Sequence, residues 1–273
     1  MQETQQSSSP HPIGVNLSPA AVVTQTYLQD RVIYIVREDL LPGGTKQRAI
    51  FHFLLALRSQ CFDQFVYASP FAGYAQVALA YACQILGLKC ILFAEVEPKT
   101  KKPHRFTRLA QSYGAHVLVA PTLDAAEQGA LNFSQARSQT YKIPLGFDDP
   151  HYKFLMRQEI RKQWANVLAQ IPAPVQTLWL PVGSGTLADI FSKVVDRMVR
   201  LCCVNVHVLK DDDKRIQALR ENPQITVLSS PLEFAAPAAH PPAFPSNLHY
   251  DAKIWDFIVR NGRNGDVWWN VAQ

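Results

Sequence analysis

A lysine on a glycine turn is the first residue of this sequence with clear chemical potential. Lys46 follows Gly43, Gly44 and Thr45, shortly after a run rich in valine and isoleucine and just before a run with helical spacing. Glycine lets the backbone approach a ligand closely, and a lysine amine held there can form a Schiff base with a carbonyl group. The alternative is that Lys46 is an exposed residue at the start of a surface helix.

A second motif has the chemistry of a phosphate site. Gly183, Ser184, Gly185 and Thr186 connect a predicted strand at 177–181 to a predicted helix. Such a turn presents backbone N–H groups and the positive end of a helix to an anion. The chain lacks the lysine of a nucleotide phosphate loop and the third glycine of a dinucleotide motif, so the turn favours a small phosphorylated cofactor. A tight turn without a ligand is the alternative.

Strands and helices alternate along most of the chain, which indicates parallel strands joined by right-handed crossovers. Residues 231–245 carry five prolines and five alanines and predict an extended surface loop. We predict strands at 31–36, 65–69, 90–93, 116–120, 141–144, 177–181, 204–209 and 267–271, and helices at 46–57, 74–86, 105–113, 124–140, 151–168, 187–200 and 252–260.

The composition limits the class of protein. The chain has 273 residues, 48% hydrophobic and 18% charged, which suits one large or two intimate α/β domains. Its net charge of +5 is spread along the chain, so nothing points to nucleic acid. No apolar run is long enough to span a membrane. His104, His116 and His151 lack metal-ligand spacing, so we expect no metal.

The cysteines and the N terminus bear on location. Five cysteines without a paired motif or a signal peptide indicate reduced thiols and a cytoplasmic protein. Residues 1–14 are rich in glutamine, serine and proline and predict a flexible tail.

Three segments occur in an order that is typical of one enzyme family. The first runs from Arg37-Glu38-Asp39 to Gly43-Gly44-Thr45-Lys46-Gln47-Arg48, the second spans 76–95, and the third spans 180–188. Together they resemble the tryptophan-synthase-β-like, or fold type II, family of pyridoxal-phosphate enzymes, and most closely its aminocyclopropane-carboxylate deaminase and D-cysteine desulfhydrase branch. The resemblance implies that Lys46 forms a Schiff base with pyridoxal 5′-phosphate and that residues 183–186 bind the phosphate.

A fourth segment, Tyr250-Asp251-Ala252-Lys253, resembles the Tyr-Glu-Gly-Lys element of the deaminase branch. This implies that Asp251 faces the pyridine nitrogen of the cofactor and keeps it protonated. Tyr250 would lie near the substrate as an acid or base. The alternative for Asp251 is an ordinary N-terminal helix cap.

The loop after the second predicted strand departs from the family pattern. Phe71 and Ala72 stand where that branch has a serine and an asparagine under the cofactor and around the substrate carboxylate. Either Ser69 or Tyr74 takes over this role, or the pocket has lost that chemistry.

The resemblance also sets expectations for the whole molecule. It implies a two-lobed α/β fold, a three-layer sandwich with mainly parallel sheets. We expect residues 15–60 and 145–273 to form the larger, cofactor-binding domain and residues 61–144 the smaller one. The expected function is Schiff-base chemistry on a small amino acid, by elimination, β-replacement or deamination, in a homodimer.

Two alternatives remain open at this point. The first is a catalytically reduced family member that acts as a binding or regulatory subunit. It is favoured by Phe71 and Ala72 and by the shortness of the chain for this family between Leu187 and His249. The second is an α/β protein that binds a phosphate ligand without pyridoxal phosphate.

Overall fold

The larger of two sheets has six strands, and one of its two central strands is the last strand of the chain. The computed structural model describes residues 16–273, so the predicted tail at 1–14 lies outside the described residues. The hairpin at one edge is antiparallel, and all other neighbours are parallel. The strand order is β1 (Val23–Leu28), β2 (Arg31–Arg37), β10 (Val267–Asn270), β7 (Thr177–Val182), β8 (Arg200–Asn205) and β9 (Ile225–Ser229).

The smaller sheet is formed by one continuous part of the chain. Its four strands are all parallel, as the alternation of strands and helices predicts. Their order is β5 (His116–Ala120), β4 (Lys89–Glu95), β3 (Gln64–Ser69) and β6 (Thr140–Ile143). The expected α/β architecture with mainly parallel sheets is thereby confirmed, whereas the domain boundaries given above stay a prediction.

Eight helices follow the strands in the described part of the chain, and local side chains explain several of their ends. Asp149 begins the longest one, since its Oδ1 accepts the N–H groups of His151 and Tyr152. Gly87, at φ +64°, ends the second one in the left-handed region. The helices are α1 (Gln47–Arg58), α2 (Ala75–Leu86), α3 (Arg105–Ser112), α4 (Leu123–Gln135), α5 (Pro150–Leu168), α6 (Thr186–Ser192), α7 (Lys214–Arg220) and α8 (Ala252–Asn261).

Several predictions for the second half of the chain were wrong. The helix predicted at 187–200 ends at Ser192; a turn in which Asp196 accepts the Met198 N–H follows before β8 begins at Arg200. The strand predicted at 204–209 lies at 200–205 instead, where it pairs with β7. The elements β1, β9 and α7 were not predicted. The helix predicted at 124–140 also ends early, at Gln135.

The arrangement of the sheets positions the site. The main hydrophobic core is continuous from one sheet to the other and includes buried residues of α1, α2 and α5. The carboxyl ends of strands β2, β3, β7 and β10 therefore meet at one cleft, which is where open α/β sheets bind their ligands. Within residues 16–273, no helix combines the length and the apolar character needed to span a bilayer.

Candidate active site

An open cavity of about 750 Å³ lies at this cleft and collects most of the predicted site residues. Lys46 enters from the turn before α1, and Gly183, Ser184 and Gly185 from the turn before α6. Tyr250 and Asp251, just before α8, complete the far wall, and Pro70 and residues 73–75, after strand β3, line the near one.

Lys46 has a half-buried side chain whose amine has no partner among the described residues. Its Nζ makes no hydrogen bond or ion pair within residues 16–273, and it lies 6.0 Å from the ring centre of Phe147. Burial lowers the pKa of Lys46 to about 8, although the nearby Asp251 carboxylate acts in the opposite direction. The amine is thus far easier to deprotonate than that of an exposed lysine, which is what a Schiff-base nucleophile needs.

The turn at 183–186 exposes several hydrogen-bond donors. None of the backbone N–H groups of Gly183, Ser184, Gly185 and Thr186 donates to another residue in the described chain. The Ser184 and Thr186 hydroxyls lie 3.1 Å apart, although Thr186 borders a neighbouring cleft rather than the cavity itself. Because α6 has only seven residues, the N–H groups, rather than the helix dipole, are the anion-binding feature.

Asp251 does not behave as an ordinary helix cap. It occupies the position before α8, but its carboxylate accepts no hydrogen bond from that helix. Instead, its Oδ1 accepts the Val271 N–H at 2.6 Å, and the side chain borders the cavity. Burial raises the pKa of Asp251 well above its usual value, and the negative charge of Asp39 adds to this effect.

The three predicted hydroxyl residues differ in position. The Tyr250 hydroxyl lies against Gly183, where an added Cβ would come within 2.2 Å of it. The Tyr74 hydroxyl also borders the cavity and donates to the Pro42 carbonyl oxygen at 3.1 Å. Ser69 is buried, donates to the Pro70 carbonyl oxygen and does not line the cavity. The structure thus brings both tyrosines, but not Ser69, to the candidate site.

Phe71 and Ala72 turn away from the cavity. The Phe71 ring is buried in edge contacts with Phe234 and His249 of the larger sheet's side of the cleft. The Ala72 carbonyl oxygen accepts a hydrogen bond from Asn247 Nδ2 at 3.3 Å. The side chains that replace the serine and asparagine of the deaminase branch therefore join the two sides of the cleft.

A comparison with protein-family models identifies the family of this chain. The sequence model of the pyridoxal-phosphate dependent enzymes matches residues 16–194. The chain is a member of that family. No curated protein matches it significantly.

Solved structures with the same architecture support the fold of this pyridoxal-phosphate dependent enzyme. A homologue of ACC deaminase aligns at 15% identity over 94% of this chain and 91% of its own, with a TM-score of 0.72. The O-acetylserine dependent cystathionine β-synthase from Helicobacter pylori aligns at 14% identity and a TM-score of 0.70, over 94% of both chains. The fungal L-serine ammonia-lyase from Rhizomucor miehei aligns at 15% identity and a TM-score of 0.69, over 94% of both chains. At these identities the likeness establishes the fold.

The cavity fits pyridoxal phosphate as the family's cofactor. Four unpaired N–H groups suit a phosphate dianion, and the unpaired Lys46 amine suits an aldehyde. Asp251 supplies a buried carboxyl group that can share a proton with a pyridine nitrogen. Among residues 16–273, no three or more His, Cys, Asp or Glu side chains are grouped to hold a metal ion.

Some residues of the pyridoxal-phosphate site were not singled out from the sequence. Tyr67 and Asn247 line the cavity, and Gly146 approaches Ser184 so closely that an added Cβ would lie 1.9 Å from its Oγ. Val271 connects two parts of the site, since its N–H binds Asp251 and its carbonyl oxygen accepts the Thr45 N–H. Only Gly146 carried a sequence signal, as a glycine just after the predicted strand at 141–144.

Proposed function

We propose that this pyridoxal-phosphate enzyme acts on a small amino acid by elimination, β-replacement or deamination. One observation carries the proposal: the unpaired Lys46 amine and the unpaired N–H groups of Gly183, Ser184 and Gly185 belong to residues that line a single cavity. The ring of the cofactor, when bound, supplies an electron-withdrawing group for the α-carbon of an amino acid.

The chain's own residues have distinct roles in this proposal. The Lys46 Nζ attaches the cofactor and, once released, accepts the proton of the substrate α-carbon. Residues 183–186 bind the phosphate through their N–H groups, and Asp251 orients the ring nitrogen. Tyr250 is the candidate for a second proton transfer, because its hydroxyl borders the cavity without a hydrogen-bond partner in the described chain and desolvation raises its pKa.

Backbone groups are the proposed anchor for the substrate carboxylate. The N–H groups of Tyr74 and Ala75, at the start of the twelve-residue helix α2, donate to no described residue. Both residues line the cavity. A carboxylate there would be stabilised by the free donors at a helix N terminus.

A binding or regulatory subunit remains the second candidate, favoured by the packing of Phe71 and Ala72 into the join between the two sides of the cleft. The phosphate-binding protein without pyridoxal phosphate is disfavoured by the family match.

The experiment uses purified protein reconstituted with pyridoxal phosphate. We expect a visible absorption band that is lost in Lys46→Ala and kept in Lys89→Ala, a matched change of an exposed lysine. A panel of small amino acids should then alter the spectrum and release a keto acid, ammonia or a substituted product. Protein that takes up no cofactor would refute the enzyme. Uptake without a response to any amino acid would favour the subunit, and loss of chirality alone would indicate racemisation.

A homodimer in the cytoplasm is also proposed. The family resemblance supports the dimer, and the unpaired cysteines, four of them buried, agree with a reducing compartment. Size-exclusion chromatography with light scattering would test the dimer.

A further inference from the structure

Two consecutive residues at the end of strand β10 each donate a hydrogen bond to a buried carboxylate. The Asn270 Nδ2 donates to Asp39 Oδ1 at 2.9 Å, and the Val271 N–H donates to Asp251 Oδ1 at 2.6 Å. Asp39 is 2% exposed and Asp251 is 1% exposed. Two carboxylates this deeply buried and this close cannot both ionise cheaply, so one must keep a proton.

Asp39 is the better placed of the two to hold the negative charge. Its carboxylate makes a two-pronged ion pair with the Arg37 guanidinium, at 2.8 and 2.7 Å. Asn270 adds a third donor and is itself fixed, because its Oδ1 accepts the Ser246 hydroxyl at 2.6 Å. Charge-assisted, bidentate bonds of this kind favour the ionised form strongly.

Asp251 has much weaker support for a charge. Its carboxyl group has only backbone donors, the N–H groups of Val271, Ala272 and Asp251 itself, and no cation paired with it; its titratable neighbours are Asp39, the Lys46 amine and the Tyr250 hydroxyl. Lys46 does not form an ion pair with it within 4.0 Å, and the tyrosine remains neutral. Asp39 repels a second negative charge at this position.

We propose that Asp39, held by Arg37 and Asn270, is a positioning residue that keeps Asp251 as a neutral carboxylic acid in the cofactor-free cleft. The consequence for the cofactor depends on the proposed function. The Asp251 proton would pass from its carboxyl oxygen to the pyridine nitrogen, leaving a carboxylate beside a pyridinium, so that no proton need come from solvent.

Infrared spectroscopy of the cofactor-free protein tests the first half of this proposal. A carbonyl band of a protonated carboxylic acid should be present at neutral pH and absent in Asp251→Asn. In Asp39→Asn, the pH midpoint at which this band disappears should fall by about one unit, because the repelling charge is gone. A wild-type spectrum without the band, or an unchanged midpoint in Asp39→Asn, would overturn the proposal.

NMR of methylated lysines can follow the titration of Lys46, with Lys46→Arg to assign its signal. In Asp39→Asn, a direct effect of the lost charge and the proposed effect through Asp251 shift the Lys46 midpoint in opposite directions. Removing the Asp39 anion directly would make Lys46 easier to deprotonate. If Asp251 instead becomes ionised, the Lys46 midpoint should rise, by about one unit. Asp213→Asn, which removes a partly exposed carboxylate paired with Arg215, should leave the midpoint unchanged. A lower midpoint in Asp39→Asn contradicts the proposal.

A second variant protects the test against misfolding of Asp39→Asn. Arg37→Gln keeps hydrogen-bonding capacity but removes the counter-ion, so the proton should move from Asp251 to Asp39 and the Lys46 midpoint should again rise. An acid band that still depends on Asp251 alone in this variant would count against the proposal. None of these measurements needs bound cofactor, so they remain informative if cofactor uptake through Lys46 fails.

Discussion

Burial shifts the pKa values of Lys46 and Asp251 more than the attraction between their charges does. An isolated Lys46–Asp251 ion pair would raise the pKa of the lysine and lower that of the aspartate, but both shifts run the other way. For each group, the free-energy cost of removing its charge from water is larger than the gain from attraction to the other charge. A pKa lowered from 10.5 to about 8 makes the neutral amine about 300-fold more abundant at neutral pH. The cavity thus activates its nucleophile without a dedicated base.

Cofactor attachment to Lys46 should depend on pH with a plateau near 8. Below that value only the neutral amine reacts, so the rate should rise about tenfold per pH unit and then level off. Stopped-flow absorbance with added pyridoxal phosphate measures this rate. Asp251→Asn should leave the plateau in place, because the neutral Asp251 acid proposed above carries no charge that stabilises the ammonium form. A rate that still rises steeply at pH 10 would contradict a buried, perturbed lysine.

Two glycines allow a matched test of close packing beside the phosphate loop. Gly146 and Gly87 both have positive φ, at +72° and +64°, but only Gly146 has a neighbour in the path of a Cβ, the Ser184 Oγ. Gly87→Ala should cost about 1 kcal/mol from backbone strain. Gly146→Ala should cost about 1–3 kcal/mol more and weaken cofactor binding. Urea unfolding and cofactor titration measure both effects, and equal stability losses would refute the packing argument.

At the level of elements, a buried ion pair connects the turn after β2 to helix α1. The Arg48 guanidinium contacts both carboxylate oxygens of Glu38, and both side chains are almost fully buried. The same guanidinium donates to the Pro19 carbonyl oxygen. The pair therefore fixes the direction in which Lys46 leaves the turn, because Lys46 lies between these two residues in the chain.

Arg48→Met should destabilise the protein by about 3–5 kcal/mol, because it leaves the Glu38 charge buried and unpaired. The double variant Arg48→Met with Glu38→Leu should recover most of this loss, since no uncompensated charge remains. Chemical denaturation of the three proteins measures the effect. Equal losses in the single and double variants would show that packing, not charge, is responsible.

The sequence predicted the elements around the site better than those that complete the larger sheet. Lys46 and residues 183–186 could be picked out because glycine turns next to apolar runs have a chemical signature, whereas Asp251 was implied only by the family resemblance. The end of α6 could not be found, because the residues after Ser192 are as apolar as one face of a helix. The next strand is recognised only from its pairing, in which Arg200 lies opposite Thr177. Asn247 and Val271 could not be assigned either, since their roles depend on contacts across the fold.

On the scale of the whole molecule, an aromatic group joins the two sides of the cleft. Phe71 and His104 come from the side of the smaller sheet, and Phe234 and His249 from the other. The two imidazole rings lie 5.7 Å apart. Burial lowers the pKa of both rings; that of His104 falls to about 4, with further lowering from His249, and Lys253 adds to the lowering at His249. Both rings are therefore neutral at neutral pH, which suits an apolar contact.

Acid should weaken this contact before it unfolds the rest. Between pH 6.5 and about 4, His104 is protonated in the unfolded chain but neutral in the folded protein. Stability must therefore fall as the pH falls through this window and level off below it. His104→Asn keeps a side-chain acceptor for the Phe106 N–H but removes the titration. Thermal unfolding between pH 7 and 4 should show a shallower loss in the variant, and identical profiles would refute the role of His104.

The position of β10 has a consequence for how the protein comes into being. This strand inserts between β2 and β7, and its Trp269 pairs with Val36, far away in sequence. A nascent chain therefore cannot close the larger sheet, or bring the Val271 peptide to Asp251 and Thr45, until nearly all described residues have been synthesised. Pairings of such long range are slow to form. Cofactor uptake should thus follow rather than guide folding, so refolding with and without pyridoxal phosphate should show the same rate of sheet closure.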